Sequence, residues 1–160
     1  MPPLLMLAAR FGAAGPILLF LTLRNGAERP TLVQWRNSAV VGACLLGGGL
    51  SLVTISEKRV PTGVAALMIA ATPLWLALLD RVWRGVRLRP TAIAGLAFGF
   101  AGVAILAWPS GAGAFNREGI IMLAISPIVW AVGSIYSRGA DMPTRPLVAA
   151  ACEMCAVVPI

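Results

Sequence analysis

Hydrophobic positions in this chain come in long unbroken runs, not in alternating or one-faced patterns. Polar positions divide them into six runs: Pro3 to Leu23, about Trp35 to Ile55, about Thr62 to Trp83, Thr91 to Trp108, Gly119 to Tyr136, and a last one that opens near Thr144 and is still apolar at Ile160. A helix crosses the hydrocarbon layer of a bilayer with about 20 apolar residues. Each complete run therefore predicts one transmembrane helix, with tilt absorbing differences in length. No run alternates polar and apolar positions as a membrane β-strand must. The expected fold is all-α: an integral membrane protein built as a polytopic bundle of about six transmembrane helices.

Aromatic residues mark the boundaries of these runs. Trp35, Trp83, Trp108 and Tyr136 fall at their ends, where rings with a polar edge favour the headgroup region. Trp75 and Trp130 are interior and must face protein, a cavity or lipid.

Composition sharpens this into a statement about solvent. Charged residues make up 12% of the chain and mean hydropathy is +0.86, whereas a soluble domain carries about a quarter charged residues. So few charges cannot cover a water-facing surface, so the lipid bilayer is the expected partner of most of this one. The net charge of +7 would suit a nucleic-acid binder, but its placement does not. The charges sit in short clusters between apolar runs, and no stretch interleaves basic residues with stacking aromatics. Arg24, Arg29, Arg36, Arg81, Arg84, Arg87, Arg89, Arg138 and Arg145 fall in alternate loops, against only Lys58, Arg59 and Arg117 in the others. By the positive-inside rule, loops 24–36, 81–89 and 138–145 are expected in the cytoplasm of a multi-pass plasma- or inner-membrane protein.

Cys44, Cys152 and Cys155 lie inside apolar runs, where a thiol behaves as a small hydrophobe. The Cys152-to-Cys155 spacing lacks the βαβ context of a redox motif. The sequence has no histidine, and a zinc site lacks ligands. No nucleophile with an aligned base, no paired acids and no phosphate-cradling loop are found. Neither an enzyme nor a cofactor is expected.

With the arginine loops inside, the first run begins on the outer side with only Met1 and Pro2 ahead of it. That is the pattern expected of a fragment lacking at least one helix before Met1 and more after Ile160. An internal echo fits: Pro3-Leu4, Ala8 and Arg10 recur in offset as Pro146-Leu147, Ala151 and Glu153. Five spans separate the two starts, which inverts the second copy, as in inverted-repeat transporters.

Several stretches carry a family resemblance. Gly95-Leu-Ala-Phe-Gly99-Phe-Ala-Gly102-Val-Ala-Ile-Leu-Ala-Trp-Pro109 and Gly63-Val-Ala-Ala-Leu-Met-Ile-Ala-Ala-Thr72-Pro73-Leu74-Trp75 resemble the fifth and fourth helices of the EamA domain of the drug/metabolite transporter superfamily. Ala9-Arg10-Phe11 is similar to its arginine-bearing second helix, and Trp130-Ala131-Val132-Gly133-Ser134 with Tyr136-Ser137-Arg138 to the opening helix of its second repeat. On that family's ten-helix plan the chain would hold helices two to seven. Residues 1–109 would form most of the first repeat, 110–117 a linker loop, and 118–160 the start of the second. Many members carry a Gly-Glu pair after the fourth helix; Gly85-Val86 stands here, closer to the branch lacking that glutamate. The resemblance implies a transporter of small metabolites or drugs working by alternating access. Its partners would be a small-molecule substrate and the remainder of the transporter, or a homo-oligomer, without which no transport is expected. The alternative is a non-transporting helical assembly or scaffold subunit.

Candidate functional residues are the polar and irregular positions inside the runs. Pro73, after Thr72, removes a backbone donor and kinks the third run, and transporters often place substrate at such interruptions; a packing kink is the plain alternative. Met68 and Trp75 share that region. Arg10 lies within the first run, where a charge faces a partner or a wet cavity or snorkels to the headgroups. Glu153 in the last run is a coupling group, a partner for a cation, or an idle pore-facing carboxylate. Gly95, Gly99 and Gly102, and Ala66 with Ala70, form small-residue seams expected to pack helices. Gly47, Gly48 and Gly49 add a flat surface.

The topology makes a direct prediction. In a cysteine-free background, a membrane-impermeant maleimide applied to intact cells is expected to label Lys58→Cys and to leave Asn25→Cys unlabelled. Labelling of Asn25→Cys alone would invert the orientation.

Overall fold

The chain is described here by a computed structural model covering residues 3–85, 89–107 and 116–158. Arg87, Val86, Trp108 and most of the linker expected at 110–117 lie outside the described residues. Among these residues every regular element is helical: α1 (Pro3–Arg24), α2 (Leu32–Gly42), a π-helical segment (Ala43–Leu50), α3 (Ser51–Ser56), α4 (Thr62–Ala70), α5 (Thr72–Arg84), α6 (Pro90–Ala107), α7 (Arg117–Gly139) and α8 (Pro146–Val157). Four continuous stretches, Leu4–Arg24, Leu32–Ser56, Gly63–Arg84 and Arg117–Gly139, are long and apolar enough to cross a membrane. At ~1.5 Å per residue, the 18-residue α6 comes close to the same length.

Local chemistry sets the helix ends. The second span starts at Leu32, three residues before Trp35, because Thr31 and Gln34 cap it reciprocally. Gln34 N donates to Thr31 Oγ1 at 3.3 Å, and Thr31 N to Gln34 Oε1 at 3.1 Å. This capping box satisfies two N–H groups that no helical turn can reach. Asn116 caps α7 with a single bond, its Oδ1 accepting from Glu118 N at 3.0 Å. Gly85, at φ +65°, ends α5 in the left-handed conformation that a side chain disfavours.

Polar contacts gather the arginine-bearing connections at one end of the bundle. Arg145 donates to the Asn25 carbonyl at 3.2 Å, Gln34 to Asp141 at 3.4 Å, and Arg138 to Asp80 at 2.9 Å. At the opposite end Arg59 pairs with Glu118. The structure thus has the alternating hairpin order that charge counting expected. Large apolar side chains face outward, with Phe20 63% and Phe98 80% exposed. In water that surface would aggregate; in a bilayer it is the lipid contact.

Glycine governs the interior packing, since small residues let helix backbones approach where water expulsion drives nothing. A Cβ on Gly42 of α2 would stand 2.7 Å from the Glu153 carbonyl oxygen of α8. One on Gly48 would stand 2.8 Å from Val129, and one on Gly49 would run into Trp130. Gly133 of α7 leaves room for Leu45 and Cys44, and Gly15 of α1 for Cys155. The seams expected on α4 and α6 differ. Gly99 abuts Leu74, but Gly95 and Gly102 have nothing within 4 Å of a Cβ position, and Ala66 and Ala70 are exposed. Among the described residues, α6 packs chiefly on α4 and α5, and neither Gly95 nor Gly102 faces a close neighbour there.

The close approach at Gly42 is to backbone, which cannot swing aside. Gly42→Val is therefore expected to destabilise the solubilised protein by about 1–3 kcal/mol, read as a lower melting temperature, while Gly102→Ala leaves it unchanged. Equal melting of both variants would contradict the packing.

Candidate functional site

Three interruptions of regular helix meet at one level of the bundle. The first is the π segment, Ala43–Leu50. Side-chain hydroxyls add hydrogen bonds to its carbonyls. Ser51 Oγ donates to the Leu46 carbonyl at 3.4 Å, Thr54 Oγ1 to Leu50 at 2.8 Å, and Ser126 Oγ, from α7, to Gly49 at 2.8 Å. The second is the break at Ala71 between α4 and α5. Pro73 has no N–H for the Ile69 carbonyl four residues back, and the Thr72 hydroxyl donates to that carbonyl instead. The third is Pro127, buried inside α7, which has no N–H to offer the Leu123 carbonyl.

Between these interruptions lies a cavity of about 490 Å³. The second span contributes Gly49, Leu50 and Val53 to its wall; the third contributes Ile69, Thr72, Pro73 and Leu76; α7 contributes Ser126, Pro127 and Trp130. No charged side chain is among them. Two hydroxyls, both engaged with backbone carbonyls, and the Trp130 indole N–H are the polar side-chain groups in an otherwise apolar wall.

Of the residues expected to form a site, Thr72 and Pro73 line this cavity, and the others do not. Met68 is buried with Val53, Val60, Ala65 and Leu123 in the apolar core where α3, α4 and α7 meet, so it serves packing. Trp75 is half-buried beside the cavity; one residue on, Leu76 occupies the lining position. Glu153 is half-buried on α8, which packs on α1, α2 and the π segment. Arg10 is exposed on α1 and makes no ion pair among the described residues. The chain does not bring Arg10 and Glu153 to Thr72.

Ser126, Pro127, Trp130 and Leu76 were not anticipated as site residues. A signal existed for two of them. A proline in mid-run, as at Pro127, interrupts a helix as Pro73 does, and an interior tryptophan such as Trp130 must face protein, a cavity or lipid. What the sequence could not show is that these positions face the glycines of the second span.

The EamA-like transporter family profile matches residues 1–108. The chain is 37% identical over 156 residues to the uncharacterized inner membrane transporter YedA of Escherichia coli (strain K12), covering 97% of this chain and 50% of the relative. It is 31% identical to the aromatic amino acid exporter YddG of Ancylobacter novellus, covering 90% and 52%, and 30% identical to a probable terminal-alkyne amino-acid exporter of Streptantibioticus cattleyicolor, covering 86% and 41%. The chain spans about half the length of these curated relatives. No solved structure gives a significant match.

The Ser126–Gly49 bond ties α7 to the π segment inside the apolar interior. Ser126→Ala is expected to cost about 1 kcal/mol of stability, measured by denaturant titration in detergent. The double variant with Gly133→Leu, which separates the same helices, should cost less than the sum of the two. Strict additivity would show that the bond does not couple these elements.

Proposed function

Because the chain belongs to the EamA-like transporter family, we propose that it forms part of an exporter of small metabolites whose substrate occupies the cavity between the π segment, the α4–α5 break and Pro127. The chain is a multi-pass inner-membrane protein, and its family and named relatives are transporters, not enzymes. The observation that carries the proposal is the convergence of three helix interruptions on one uncharged cavity. Non-helical backbone at membrane depth is tolerated where it is buried in protein or lines a cavity, and transporters build midplane sites from such segments.

Apolar walls with Trp130 on one side suit a substrate with an apolar or aromatic body. Two relatives are named as amino-acid exporters, so amino acids with apolar side chains are the first substrates to test. Exchange of access would come from movement of the repeat that holds the second and third spans, residues 1–109, against the one that begins with α7, at 118–160. The arginine-rich loops would stay on the cytoplasmic side throughout.

The test is export from cells expressing the protein in its native membrane setting, across a panel of labelled apolar and aromatic amino acids. Leu76→Trp fills the cavity and is expected to lower export of the accepted substrate about tenfold or more at unchanged membrane abundance; Trp130→Ala should shift preference among substrates of different size. Export unaffected by either change would remove the cavity from the transport path.

A further inference from the structure

A second recess, also of about 490 Å³, opens at the arginine-rich end. Asn37 of α2, Trp83 and Arg84 of α5, and Val132, Ile135 and Tyr136 of α7 line it. Most of its polar wall is already engaged. The Tyr136 hydroxyl donates to Asn37 Oδ1 at 3.1 Å, and Asn37 Nδ2 donates to the Asp141 carbonyl at 2.9 Å.

Arg84 is different. Asp80 Oδ2 accepts from Arg138 at 2.9 Å, while the nearest Asp80 oxygen to Arg84, Oδ1, lies 3.7 Å away. Oδ1 is buried and takes no hydrogen bond among the described residues. One carboxylate thus stands between two guanidiniums, and its close partner is Arg138. Arg84 is left with a positive charge on the recess wall, about half exposed, and with donors to spare. A guanidinium offers five donors in a planar fork that matches carboxylate or phosphate oxygens. Beside it, Trp83, Val132 and Ile135 offer apolar surface.

We propose that this recess binds an amphipathic monoanion, its charged group on Arg84 and its apolar body against Trp83, Val132 and Ile135. Such a ligand has two sources. A soluble organic carboxylate reaches the recess from water, and an anionic phospholipid reaches it from the surrounding leaflet. Arg81, Arg89 and Arg145 at the same end draw either one in. The recess shares no lining residue with the midplane cavity, and it is charged where that cavity is uncharged. It is also tested by equilibrium binding, so failure of the transport reading leaves it standing, and the reverse.

The experiment uses the intact protein in phosphatidylcholine nanodiscs, with 3-phenylpropionate and its neutral amide as probes and indole fluorescence as the signal. The acid is expected to bind at least about tenfold more tightly than the amide, with the signal change lost in Trp83→Phe. Arg84→Gln should abolish the preference for the acid, and Arg84→Lys should keep part of it. Arg138→Gln, which frees Asp80 to pair with Arg84, should weaken acid binding although Arg84 is still present. Nanodiscs containing phosphatidylglycerol distinguish the sources: displacement of the acid by that lipid assigns the recess to lipid, and unchanged acid binding assigns it to a soluble anion. Equal binding of acid and amide, or acid binding in Arg84→Gln as tight as in the parent, would overturn the proposal.

Discussion

In hydrocarbon, a peptide group without a hydrogen-bond partner costs several kcal/mol, and no water is at hand to supply one. The rest of this structure follows from that constraint. It makes helices the form in which these apolar runs can cross, and it makes each departure from helix a feature that must be repaired. The repairs are visible. Thr72 serves the carbonyl that Pro73 abandons, and Ser51, Thr54 and Ser126 serve the carbonyls of the π segment. The three interruptions meet at one cavity.

Packing around that cavity is uneven, and the unevenness is physical in origin. Where glycines line up, as at Gly42 against α8 and Gly48, Gly49 and Gly133 between the second span and α7, backbones lie close and the helices interlock. Elsewhere, among the described residues, α6 packs chiefly on α4 and α5 and turns Phe98 and Ile105 outward. At the arginine-rich end α5 is held to α7 by Asp80 and Arg138.

Much of the architecture was legible in the sequence because hydropathy and charge are one-dimensional signals. Run length gave the spans, and the distribution of arginines gave their alternation, which the contacts of Arg145, Gln34 and Arg138 reproduce at one end. The site was legible only in part. Pro73 announces itself because a proline has a known consequence for its own helix, and Thr72 stands next to it. Met68 and Trp75 were drawn in by proximity along the chain, but helical rotation turns Met68 into the core and gives the lining position to Leu76. The role of Gly49 opposite Ser126 depends on which helix faces which, and nothing in either run encodes that pairing. The same holds for the small-residue seams: GxxxG spacing says that a backbone can be approached, not that something in this chain approaches it, as Gly95 shows.

The central claim is that the interrupted backbones of the second and third spans face a wet cavity instead of lipid. Single cysteines placed at Leu50 and Leu76, and at Ile17 and Phe98 as outward-facing references, in a background with Cys44, Cys152 and Cys155 replaced by alanine, test it through their reaction with a small hydrophilic methanethiosulfonate in native membranes. The account predicts modification at Leu50→Cys and Leu76→Cys and none at Ile17→Cys and Phe98→Cys. Unreactive thiols at both cavity positions, with the references no different, would contradict it.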